Sequence, residues 1–186
     1  MSQTRKYAIA ADRVFDGRIT HNQAAVVIDG ARVVGLVPQS KLTAEDVFEL
    51  PSGAWLAPGF IDIQVNGGGD VLFNDDPTPD GIRKIAVAHR RFGTTSFLPT
   101  LITDTPEKMR AAIAAVEIVA DLEPSVLGIH LEGPYLSPEK AGVHDVRLIR
   151  SPSASDVELL LAPRKGARLV TLAPECVPRG FISCLA

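Results

Sequence analysis

Residues 94–133 read TTSFLPTLITDTPEKMRAAIAAVEIVADLEPSVLGIHLEG, and their reading decides the fold. TTSFLPTLI is an apolar run of strand length. Thr103-Asp104-Thr105-Pro106-Glu107 follows it, where a capping residue, a proline and an early acid open a helix over roughly Pro106 to Ala120. SVLGIHLEG returns to strand and is broken by Gly133-Pro134. Strand, helix, strand predicts a parallel βαβ unit.

The same pattern extends outward. Upstream, WLAPGFIDIQVN (55–66) reads as one strand, followed by the Gly67-Gly68-Gly69 loop. Thr78-Pro79-Asp80 then opens a helix that runs to about Phe92 and stops at Gly93. Downstream, after a long loop through Gly142, a helix over Ser155 to about Leu161 precedes the strand ARLVTLAPE (167–175), and Val177 to Ala186 starts a fourth helix. From Tyr7 to about Leu50 the texture differs: YAIAADRVF, AAVVIDG with the turn signal Asp29-Gly30, and ARVVGLV closed by Pro38 are short strands of a small β region. The prediction is α/β: residues 1–54 as part of a small β-sandwich, and residues 55–186 as the first four βα units of a (β/α)8 TIM barrel. A complete barrel takes about 250 residues and eight strands. Half a barrel leaves two unpaired edges and an exposed inner face, so the chain is expected to aggregate, to pair with a partner or, the favoured reading, to be part of a longer protein.

Composition narrows the function. The 186 residues are 46% hydrophobic and 22% charged, with a net charge of −3. That balance supports a globular core and offers no excess of positive charge for a nucleic-acid backbone or an anionic membrane. The start, MSQTRKYAIAADRVFDG, lacks the apolar core of a signal peptide, and no run approaches the ~20 apolar residues of a membrane span. A cytoplasmic protein with no nucleic-acid or membrane partner is expected. Cys176 and Cys184 fit neither a disulfide framework nor a zinc ribbon and read as free thiols.

The strongest chemical signal is Gly128-Ile129-His130-Leu131-Glu132-Gly133-Pro134. Alternation puts His130 and Glu132 on one strand face and Ile129 and Leu131 on the other. In a barrel, Glu132 then stands at the C-terminal mouth, where barrel enzymes keep their sites, with His130 one layer deeper. A carboxylate there suits a divalent metal; the bland alternative is a solvated acid above a hydrogen-bonded core histidine. Asp62, Gln64 and Asn66 share a second strand face and need partners if buried, either in a site or in an ordinary polar network. The loop after Glu132 carries Lys140, Gly142, Val143, His144 and Asp145; His144 can donate a hydrogen bond or titrate near neutrality, and can equally be a solvated loop residue. Trp55 and Tyr135 read as packing residues. The glycines at 67–69 lack the lysine and hydroxyl of a nucleotide loop.

LAPGFIDIQVNGGGDVLFND, GTTSFLPTLIT, LGIHLEGPYLSPEKAGVH and VTLAPE together resemble, in the same order, the N-terminal part of the N-acetylglucosamine-6-phosphate deacetylases of the amidohydrolase superfamily. The resemblance implies that Glu132 is a metal ligand, that Val143 and His144 contact the substrate acetamido group, and that His144 polarises the amide carbonyl. Gln64, Asn66 and His130, from their strand faces, are the candidate supporting residues around them. Gln64-Val65-Asn66 stands where many amidohydrolases have His-x-His, so one divalent ion is implied rather than two: zinc first, with iron, manganese or cobalt also suited to a carboxylate. The implied reaction is hydrolysis of N-acetylglucosamine 6-phosphate to glucosamine 6-phosphate and acetate by a cytoplasmic homodimer. The implied general base, two histidine ligands and the phosphate contacts would lie on later strands, so this chain alone is expected to be inactive. Two alternatives stand beside this one: a dihydroorotase-like cyclic-amide hydrolase, and a non-catalytic half-barrel that binds a partner.

Overall fold

The computed structural model describes residues 6–43 and 46–186. The chain forms two compact units, Met1–Pro58 and Gly59–Ala186. The first five residues of the stretch read above for targeting signals lie outside the described residues.

The first unit is a five-stranded sheet of β1 (Lys6–Phe15), β2 (Thr20–Asp29), β3 (Arg32–Pro38), β4 (Asp46–Glu49) and β5 (Trp55–Leu56). Its order is β3-β2-β1-β4, and β5 also pairs with β1. The β1–β2 and β2–β3 pairs are antiparallel, the latter turning where Asp29 faces Arg32 across Gly30, whose φ of 59° suits a residue without Cβ. Small side chains fill its interior: Ala8, Ala10 and Ala25 form one buried cluster, and Ala11, Val14 and Ala24 another. Trp55 does not pack as expected. It is 53% exposed, and the Arg13 guanidinium lies 4.7 Å from its ring centroid, a cation–π contact at the surface.

The second unit contains β6 (Phe60–Val65), a hairpin of β7 (Gly67–Gly68) and β8 (Val71–Leu72), α1 (Pro79–Arg90), β9 (Thr94–Ile102), α2 (Pro106–Val119), β10 (Gly128–Glu132), α3 (Ala154–Leu161), β11 (Ala167–Thr171) and α4 (Phe181–Leu185). The run Trp55–Asn66, expected as one strand, is two. Pro58 has no N–H for a ladder, Leu56 is committed to Val14 of β1, and Gly59 lies so close to Thr95 that a Cβ would sit 2.1 Å from its methyl group.

The strands β6, β9, β10 and β11 are parallel and lie side by side in chain order. A doubly wound sheet would reverse its order partway; strict succession with a helix in each crossover is the arrangement of a (β/α)8 barrel. Four such strands make half of one. The helices begin as their sequences dictate. Thr78 and Thr105 accept from the backbone of Gly81 and Lys108, each with a proline in the first turn, and Ser153 and Asp156 form a reciprocal capping box.

Alternation sorts the sheet into two faces. Phe97 and Leu101 of β9 and Ile129 and Leu131 of β10 join Ile85 and Met109 of the helices in one continuous core. Thr100, His130 and Glu132 occupy the other face. Among the described residues, no helix is long and apolar enough to cross a membrane.

Candidate functional site

The register brings the strand ends level: Glu132 lies opposite Ile102 of β9 and Thr171 of β11. At that rim three side chains from three segments meet. Gln64 Nε2 donates to Glu132 Oε2 at 3.0 Å, and His144 Nε2 lies 3.7 Å from Glu132 Oε1. Gln64 reaches the carboxylate from β6, and His144 comes back to it from the loop that follows β10.

That loop is tied down. Gly133 N–H donates to Thr171 O at 3.0 Å, and Arg150 N–H donates to Pro134 O at 3.1 Å, closing the loop at its base. Arg150 also grips Asp156 with both arms, its Nη2 2.7 Å from Oδ1, and its guanidinium lies 5.6 Å from the ring centroid of Tyr135, which is fully buried as expected of a packing residue. Burial alone would raise the Asp156 carboxyl; the bonds from Arg150 and Ser153 outweigh it and hold the group well below the usual carboxylate range.

His144 is fixed by a residue outside the expected set. Thr103, 4% exposed, places its hydroxyl 2.8 Å from His144 Nδ1 and donates its backbone N–H to the same nitrogen at 3.3 Å. Thr103 is in turn held through its neighbour: the Asn74 amide accepts from Ile102 N–H at 3.0 Å and donates to Ile102 O at 3.2 Å and to Asp104 at 2.9 Å. Burial of Asp104 would raise its carboxyl, and the bonds from Asn74, Thr105 and Lys108 bring it below its ordinary value. The segment Thr103–Glu107 was legible only as a helix start. A polar residue at the C-terminal end of a barrel strand is the signal that marks Thr103 as part of a site.

His130 is 2% exposed and lies one layer deeper, where its Nδ1 is 3.2 Å from Thr100 Oγ1 and its Nε2 2.8 Å from Thr171 Oγ1. It links three strands beneath the rim and is hydrogen-bonded to hydroxyls rather than to Glu132. Burial lowers its pKa, against an opposing pull from Glu132 and the Ile63 backbone, and so favours the neutral ring. Asn66 is half-buried, and its carbonyl accepts from Phe73 N–H at 2.8 Å. Val143 is 85% exposed. The structure therefore gathers Gln64, Glu132 and His144, places His130 below them, and leaves the Val143 side chain in solvent.

Glu132 offers one oxygen donor to a divalent ion. Among the described residues, no group of three His, Cys, Asp or Glu side chains is placed to hold a metal. A catalytic zinc usually takes three protein ligands and an open position; among the described residues this rim offers the Glu132 carboxylate and the His144 imidazole, short of that number.

A parallel, sequentially ordered half-barrel with a carboxylate at a strand end and an imidazole on the loop above it has the site face of the (β/α)8 barrel enzymes. The Amidohydrolase family profile matches residues 55–178, and the chain belongs to that family. An N-acetylgalactosamine-6-phosphate deacetylase of Shewanella sp. (strain ANA-3) is 43% identical over 166 residues, which cover 87% of this chain and 41% of that protein. An N-acetylglucosamine-6-phosphate deacetylase of Haemophilus influenzae is 37% identical over 172 residues, covering 91% and 45%. A solved mutant of N-acetyl-D-glucosamine-6-phosphate deacetylase from Mycobacterium smegmatis, in complex with N-acetyl-D-glucosamine-6-phosphate, superposes with a TM-score of 0.84 at 29% identity, covering 96% and 45%. The chain spans less than half the length of each of these relatives.

Proposed function

We propose that the complete protein carrying this chain hydrolyses N-acetylglucosamine 6-phosphate to glucosamine 6-phosphate and acetate. The observation that carries the reading is the convergence of Gln64, Glu132 and His144 at the strand ends of an amidohydrolase half-barrel. The relatives favour this reaction over the cyclic-amide and binding-module alternatives.

In this reading His144 donates from Nε2 to the acetyl carbonyl oxygen, stabilising charge that develops as the amide is attacked. Glu132 is one ligand of a divalent ion, zinc first among those a carboxylate suits. When bound, such an ion supplies Lewis-acid chemistry and lowers the pKa of a water. Gln64 orients the Glu132 carboxylate through Oε2 and leaves Oε1 directed toward His144. His130 braces the floor of the site from below, and the Val143 backbone borders the acetamido group. Of the two units, the first serves as the partial sandwich and the second as the barrel half. A cytoplasmic location and a homodimer belong to the same proposal and rest on the family resemblance.

The test is an acetate-release assay with N-acetylglucosamine 6-phosphate and its C4 epimer, N-acetylgalactosamine 6-phosphate. The complete protein, loaded with zinc, is expected to release acetate with the higher kcat/KM on the gluco substrate, and the purified 186-residue chain is expected to release none. Faster cleavage of the epimer would move the assignment to the galacto sugar. No release from either sugar by the complete protein would overturn the reading.

A further inference from the structure

We infer that Thr103 is a positioning residue that sets the tautomer of His144. The inference rests on the proposed role of His144 as a carbonyl-polarising donor. The Thr103 backbone N–H can only donate, so His144 Nδ1, its partner at 3.3 Å, is an acceptor and carries no proton. The Thr103 hydroxyl, which can act either way, then donates to the same nitrogen across 2.8 Å; its alternative acceptor, the Glu132 backbone oxygen, is farther away at 3.5 Å. With Nδ1 held as an acceptor by two donors, the neutral ring carries its hydrogen on Nε2, the nitrogen that faces Glu132 Oε1 at 3.7 Å. His144 thus meets the reaction centre as a hydrogen-bond donor and not as a proton acceptor.

The rest of the site is built around this contact. Asn74 fixes both backbone groups of Ile102, the residue before Thr103. Gly133 leaves the space the hydroxyl occupies: its φ is 90°, and a Cβ there would lie 2.2 Å from Thr103 Oγ1. Three separate segments, around residues 74, 103 and 133, therefore converge on the placement of one hydroxyl against one imidazole nitrogen.

The experiment is long-range proton–nitrogen NMR of the complete protein labelled with 15N-histidine at pH 8, with the His144 ring signals identified by their loss in His144→Gln. The expected wild-type spectrum has an unprotonated Nδ1 and a protonated Nε2. Thr103→Val keeps the shape and the N–H and removes the hydroxyl. It is expected to shift the Nδ1 signal and bring in the Nδ1–H form, to lower kcat about tenfold with KM changed less than about twofold, and Thr103→Ser is expected to restore both spectrum and rate to within about threefold. A protonated Nδ1 in the wild type, or ring signals unchanged by Thr103→Val, would overturn the inference. If the valine variant does not fold, Thr103→Ala, which also lacks the hydroxyl, supplies the same comparison of ring signals. If the complete protein cleaves no amino-sugar phosphate, the spectra still decide the tautomer, and only the functional reading fails.

Discussion

The two faces of the parallel sheet differ in kind although they alternate residue by residue. Toward the helices, Phe97, Leu101, Ile129 and Leu131 are buried in one apolar cluster. On the other face, one step away along each strand, stand Thr100, His130 and Glu132, which meet hydroxyls, an amide and an imidazole. The first face gains its stability from apolar area removed from water, which is non-directional and tolerant of exchange. The second holds groups whose value depends on a particular partner at a particular distance. Strand periodicity lets one segment serve both purposes without conflict.

Mutations on each face sharpen the contrast. Phe97→Ala, on the helix side, is expected to destabilise the complete protein by about 3–5 kcal/mol through lost burial and a residual cavity, while activity per folded molecule is unchanged. Chemical denaturation together with kcat on the folded fraction checks this; a lowered kcat at full folding would break the division between the faces. Glu132→Gln, on the rim, should do the reverse. Activity should fall at least about a hundredfold, with stability altered by less than about 1 kcal/mol, because Gln64 can still hydrogen-bond to the replacement amide. A large drop in denaturation midpoint would show instead that the carboxylate is structural.

The smallest effect concerns His130. Its pKa in the folded protein is depressed below the unfolded value, chiefly by burial. The unfolded chain therefore binds the proton more readily, and stability that is fully present above about pH 6.5 is lost as the pH falls below that toward the folded value. Melting temperature measured from pH 7.5 to 5 should decline over that window, and His130→Gln should flatten the decline. An identical pH profile in the variant would assign the dependence to other groups.

The sequence announces the elements more clearly than the site. The strand over 94–102 and the helix that Thr105-Pro106-Glu107 opens are specified by local pattern and capping chemistry, and the structure has them at those positions. The break at Ala57-Pro58-Gly59 was hidden inside an apolar run; it depends on the pairing of Leu56 with Val14, more than forty residues earlier. Glu132 and His144 were marked by the family resemblance alone, since on spacing the one reads equally as a solvated acid and the other as a solvated loop residue. Thr103 was not marked, since its partner His144 is 41 residues away and its own neighbourhood reads equally well as a helix start. Likewise, the alternation of β10 placed His130 beneath the rim, but only the parallel register shows that Thr100 and Thr171 flank its ring.

The closure of the His144 loop by Arg150 N–H on Pro134 O has a consequence for how such a protein changes over generations. A segment whose two ends are bonded to each other behaves as a cassette. Changes at the exposed residues of the stretch alter what the histidine-bearing loop presents to a substrate, while the ladder of β10 and the position of Glu132 stay as they were. New specificities can be tried at exposed positions of that interval such as 138–140 and 142–143, at little risk to the fold, while Tyr135 and Ala141 stay as core.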